Sequence, residues 1–197
     1  MKSATRRKAG SPRLGASTSA ASPEKTPSAM EQIGIEWRRE RGDLDLDHFL
    51  FAIYLMRLGS IAERAYDGLC KSQYGISGGD MRVLLALRRG GAPYIKRPTD
   101  LFRALPVTSG AITKKVDRLE RGGYAQRVGE PGVGGGYLVR LTAKGLRVVE
   151  DAVTLLSTRS IIEPAIAGFS SREIEQANQL MMRMITAMEE GGPAEPE

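Results

Sequence analysis

The sequence predicts a mostly α-helical protein with a small β-hairpin wing, built as a helix-turn-helix core with a wing and flanked by longer apolar helices. Apolar residues recur at three- and four-residue spacing through most of 45–190, the period of amphipathic helices. A glycine-rich stretch, Gly129 to Gly136, separates two short alternating segments, as a hairpin requires. From Ile76 to Thr142 there are twelve basic and five acidic residues, while 31–75 and 143–197 together hold eleven and seventeen. A basic centre on acidic flanks suits a module that meets a polyanion, carried on a scaffold that does not.

The chain has 197 residues and a formal net charge of +6, enough length for one core without covalent staples. Cys70 is the sole cysteine, so no internal disulfide forms and a reducing, cytoplasmic setting is expected. No apolar run reaches the ~18 residues of a membrane span, and Arg6, Arg7 and Lys8 lack the apolar stretch of a signal peptide behind them. Residues 1–30 are rich in Ser, Ala and Pro with six basic groups and one acid, and are expected to form a disordered basic tail. The rest, 31–197, is expected to be one domain.

The elements run in this order. Ile33 and Trp37 share one face of a short helix from Met30 to Arg41, ended by Gly42. Asp45 or Asp47 caps a long helix to Gln73 whose apolar residues, Phe49 to Leu69, wrap most of its circumference. That pattern implies burial on two sides, one of them against a second subunit. Ser77 caps a helix from Gly78 to Arg89 with Val83, Leu84 and Leu87 inward, and Gly90, Gly91 and Pro93 break it. Pro98 starts a short third helix holding Leu101, Phe102 and Leu105. Thr108 or Ser109 caps the fourth, which runs to Arg121 and stops at Gly122 and Gly123. Strands at 124–128 and 136–141 make the wing. Thr142 caps a helix through Leu156, Pro164 interrupts the chain beyond it, and Ser170 with Glu173 forms a capping box for a last helix. Its stripe of Ile174, Ala177, Met181, Met184 and Met188 reads as a packing or dimer seam. Thus 76–142 is expected to be the module that meets the polyanion, and 45–73 and 143–190 the dimerisation helices.

The fourth helix divides cleanly. Ala111, Ile112, Val116 and Leu119 face inward, while Ser109, Gly110, Thr113, Lys114, Asp117 and Arg118 face out. A major groove about 12 Å wide admits one helix whose outer side chains are small or cationic. Ser109, Gly110 and Thr113 are small enough to approach bases, Lys114 and Arg118 reach base acceptors or phosphates, and Thr108 lies at the helix start, where amide groups favour a phosphate. Arg127 and Arg140 flank the wing at its base. Double-stranded DNA is therefore the expected partner. An enzyme is not expected: the chain has one histidine, His48, no Cys-x-x-Cys, no His-Glu-x-x-His and no Gly-x-Ser-x-Gly. The glycine-rich hairpin lacks the Gly-Lys-Ser/Thr of a phosphate loop, and no metal or cofactor is implied.

The run Val116-Asp117-Arg118-Leu119-Glu120-Arg121-Gly122-Gly123, then Arg127, then Leu141-Thr142-Ala143-Lys144-Gly145 resembles the recognition helix, first wing strand and wing exit of MarR-family regulators. The resemblance spans about 47–189. It implies a homodimeric transcription regulator, usually a repressor, that reads a pseudo-palindromic operator and is released by a small aromatic or phenolic effector. The alternative is an effector-independent DNA-binding or architectural protein with the same head. By the resemblance, Trp37, Arg57, Arg82 and Lys115 are candidate effector contacts. Trp37 is similar to the tryptophan of the urate-responsive branch, but that branch's acid falls on Arg82, with Asp80 two residues off register; urate itself is not the expected ligand. The family's wing-tip arginine falls among Val133, Gly134 and Gly135, so minor-groove reading by this wing is not implied. Cys70, near the end of the long helix with Lys71 its only adjacent cation, reads as inert packing.

Overall fold

A computed structural model describes residues 28–105, 109–129, 136–159 and 161–191. The expected tail lies outside the described residues except for 28–30, as do Thr108 and the wing tip at 133–135. The chain divides into two compact units, Met1–Tyr54 and Leu55–Glu197, within one long helix.

In the first unit, α1 (Ala29–Glu40) opens on a capping box: Ser28 Oγ accepts from the Glu31 amide at 3.3 Å, and the Ser28 amide donates to Glu31 Oε2 at 2.6 Å. Trp37 meets Phe49 edge to face, with ring centroids 5.3 Å apart. Gly34 is buried, and a Cβ there would come within 2.7 Å of the Tyr54 hydroxyl. Helix α2 (Asp47–Tyr74) begins at Asp47, whose amide donates to Asp45 Oδ1 at 3.0 Å.

The second unit contains the remainder of α2 followed by α3 (Gly78–Arg89), β1 (Ile95–Lys96), α4 (Pro98–Ala104), α5 (Ser109–Arg121), β2 (Ala125–Val128), β3 (Leu138–Leu141), α6 (Ala143–Thr158), α7 (Glu163–Ile166) and α8 (Ser171–Gly191). Its core is the inward stripe of α3, with Met81, Val83, Leu84 and Leu87 fully enclosed by Leu101, Ile112, Val116, Leu119, Val139 and Val149. Each such side chain contributes about 1.5–3 kcal/mol relative to exposure. Three of the expected caps are present among the described residues. Ser77 Oγ accepts from the Asp80 amide at 3.1 Å, Thr142 Oγ1 from Gly145 at 3.0 Å, and Ser170 with Glu173 closes the expected box.

The wing is larger than the expected hairpin. It is a three-stranded antiparallel sheet in the order β1-β3-β2, with Ile95 opposite Arg140, Lys96 opposite Val139 and Arg127 also opposite Val139. Two residues bracketed by Pro93 and Pro98 are too short to show a period of two, so β1 leaves no pattern in the sequence. Val139 and Leu141 turn into the core and Arg140 turns out.

Helix α8, 21 residues long, contains no buried residue. Leu180, Met181, Met182, Ile185 and Met188 are all exposed, as are Leu55, Met56, Leu58 and Ile61 on α2. Among the described residues no helix is long and apolar enough to cross a membrane.

Candidate nucleic-acid interface

Helix α5 presents two chemically distinct sides. Ile112, Val116 and Leu119 are at most 1% exposed and hold the helix on the core. Gly110, Thr113 and Lys114 lie on the opposite, exposed side. Lys114 makes no ion pair among the described residues, so its charge is available. The structure therefore brings Gly110, Thr113 and Lys114 together on the helix that Ser109 opens.

The arginines next to this face are engaged within the fold. Arg118 Nε and Nη2 donate to Asp80 Oδ2 and Oδ1 at 2.9 and 2.7 Å. Arg127 is held between Asp117 and Glu120, its amide also donates to Glu120 Oε1 at 3.0 Å, and its guanidinium lies 4.7 Å from the Tyr137 ring centre. The hydrogen bond to Asp117 raises the Arg127 pKa above its ordinary value, and Asp80 does the same for Arg118; both stay charged. Arg140 stands exposed on β3 without an ion pair among the described residues.

Asp80 is the residue whose role the sequence reading missed. It is 5% exposed and stands one to two turns before Val83, Leu84 and Leu87 on the same inward stripe of α3. An acid on a buried stripe signals an internal cation, and that signal was present in the residue spacing.

Trp37 lies in the first unit, half exposed against Phe49. Arg57 is exposed on α2. Arg82 forks onto Glu63, with Nη1 2.8 Å from Oε1, and stacks over Tyr66 at 4.9 Å. The same hydrogen bond lowers the Glu63 pKa. Lys115 is 3.9 Å from Asp80 Oδ1 and largely covered. Two of the clefts formed by described residues lie on the second unit. One, of about 420 Å³, is lined by Ser77, Asp80, Arg118 and Tyr124 among others; the second, of about 340 Å³, by Leu85, Arg88, Arg89, Glu150 and Val153. None of the four candidate effector residues lines either cleft. Cys70 is 2% exposed, and burial raises its thiol pKa, the surroundings of an unreactive thiol.

No family model matches the chain. Over 153 residues it is 33% identical to the HTH-type transcriptional regulator PecS of Dickeya dadantii (strain 3937), covering 76% of this chain and 88% of that protein. The chain belongs to the MarR family of transcriptional regulators. Solved MarR-family structures share its fold. A regulator from Streptomyces coelicolor in complex with DNA superposes with a TM-score of 0.62 at 19% identity, over 73% of this chain and 88% of that one. Wild-type MarR from E. coli gives 0.56 at 21%, over 68% and 95%. The MarR-like motifs now have physical content. Asp117 and Glu120 tie α5 to β2 through Arg127, and Thr142 caps α6 while donating to the Gly123 carbonyl at 2.7 Å. Lys144 donates to the Gly122 carbonyl at 2.8 Å over the Tyr124 ring.

Proposed function

We propose that this MarR-family regulator binds double-stranded DNA as a cytoplasmic homodimer, laying α5 of each subunit in the major groove of a pseudo-palindromic operator. It acts as a repressor that a small aromatic or phenolic acid releases. The observation that carries this reading is the exposed Gly110, Thr113 and Lys114 face of a helix clamped by its other side. Small residues let the axis approach, and a free ammonium supplies attraction to acceptors on base edges or phosphates. Arg140 on the wing base adds a second positive contact beside the groove.

Dimerisation is supported by α8, since a 21-residue helix with no buried residue needs a partner for its apolar face. The α3 and α6 cleft supports the effector: Leu85 and Val153 offer an apolar wall for a ring and Arg89 a cation for a carboxylate, while Arg88 is held by Glu150 of the same cleft. Of the four effector residues inferred from the family, Arg57 is open to an anion, whereas Arg82 and Lys115 have to leave Glu63 and Asp80 first.

Footprinting on the DNA upstream of the protein's own gene, with and without a panel of phenolic and aromatic acids, tests the reading. Two protected half-sites about 34 Å apart are expected, with protection lost as one of the acids is added. A purified protein that ignores duplex DNA at low salt overturns it. Protection unmoved by every acid favours the effector-independent DNA-binding role.

A further inference from the structure

Among the described residues Asp80 is the only buried charged side chain, and its partners both belong to α5. A buried carboxylate without partners costs several kcal/mol. Here the Arg118 fork and the Lys115 ammonium answer it from two positions three residues apart on one face. Lys115 reaches Asp80 past Gly79, where a Cβ would crowd the mobile end of the lysine. One carboxylate on α3 thus grips two neighbouring points of α5.

We propose that Asp80 is a positioning residue for DNA reading, and that Arg118 acts on sequence choice through Asp80 rather than by touching a phosphate. The inference rests on the DNA-binding function proposed above. Two bonds in a planar fork tolerate little rotation of α5 about its own axis. A side-chain tip about 5–6 Å from that axis moves about 1 Å for a 10° turn, which is enough to spoil a bidentate base contact. Thr113 and Lys114 precede Lys115 directly, so the grip sets their angle. Apolar packing of Ile112, Val116 and Leu119 holds the helix on the core, but such contacts are not directional.

The test uses the full chain with an operator duplex and a scrambled duplex of equal length, titrated across a salt series. Wild type is compared with Arg118→Gln, Arg118→Lys, Asp80→Asn and the Asp80→Asn/Arg118→Gln double variant, each checked for melting temperature. Arg118→Gln is expected to narrow the operator preference about tenfold, the scale of one base contact, with the salt slope and the scrambled affinity unchanged. Arg118→Lys recovers part of the preference, and the double variant is no worse than the worse single, because one pair is broken once. Should Asp80→Asn fail to fold, the two Arg118 variants decide the matter, since that side chain is half exposed.

Equal losses on both duplexes with the salt slope reduced by about one unit make Arg118 a phosphate contact and overturn the inference. So does an unchanged preference with only a lower melting temperature, or additive losses in the double variant. Wild type that binds neither duplex overturns the DNA reading and takes this inference with it; every other outcome leaves the DNA reading intact.

Discussion

Gly145 lies against the carbonyl of Tyr124: a Cβ at 145 would stand well under 3.0 Å from that oxygen, and about 3.2 Å from Leu141 Cδ2. The contact is with backbone, which cannot swing away, so the first turn of α6 sits directly on the start of β2 only because residue 145 has no side chain. Gly145→Ala is expected to lower unfolding free energy by about 3 kcal/mol, at the upper end for an added methyl group in a packed site. A urea titration reads it. A loss below about 1 kcal/mol, the low end for such overpacking, means the wing and α6 separate easily.

Thr113→Ala and Lys114→Ala change the exposed face of α5 without touching the core. Under the proposed function each reduces discrimination between operator and non-operator by about 1–3 kcal/mol where a base contact is removed. Selection of binding sites from random duplexes is the measurement. An unaltered consensus removes the residue from the reading face.

Acid weakens the link between α2 and α3. The hydrogen bond from Arg82 lowers the Glu63 pKa below its ordinary 4.5. The unfolded chain therefore binds the proton more tightly, and the pair's stabilisation, complete above the ordinary value, is lost as pH falls through the lowered one. Glu63 is half exposed, so screening limits the effect to about 0.5 kcal/mol. Glu63→Gln is expected to lower stability near neutral pH and to flatten its decline below about pH 4.5. Parallel pH curves for variant and wild type would contradict this account.

Ile185→Glu places a charge in the exposed apolar stripe of α8. If that stripe is the subunit seam, sedimentation shows the variant as a monomer at concentrations where the wild type is a dimer. Operator affinity falls with it, because two linked heads reach two half-sites together. A wild type that sediments as a monomer removes dimerisation from the proposal.

The regular elements were legible because period and caps are local properties. Val83, Leu84 and Leu87 mark the buried face of α3, and Ser77, Thr142 and Ser170 each cap where a hydroxyl precedes an apolar stripe. The state of the charges was not legible in the same way. The basic excess from 76 to 142 counts Arg82, Arg88, Lys115, Arg118 and Arg127 as surface charge, yet every one faces a carboxylate. Two of those acids, Glu63 and Glu150, come from the acidic flanks, 19 and 62 residues from their partners. Such pairings depend on how helices pack and not on spacing along one helix. Net charge therefore marked the segment that carries α5 and the wing while overstating how many of its cations are free.

The short strand β1 ends at Lys96, one residue before Arg97, the N-cap of α4, and it pairs with the central strand of the wing. A force on the wing is therefore delivered through backbone hydrogen bonds to the root of the helix that packs against α5. Wing and helix-turn-helix are thus one backbone-linked piece, so under the proposed function a load on the sheet is shared with α4 rather than taken up by a free loop.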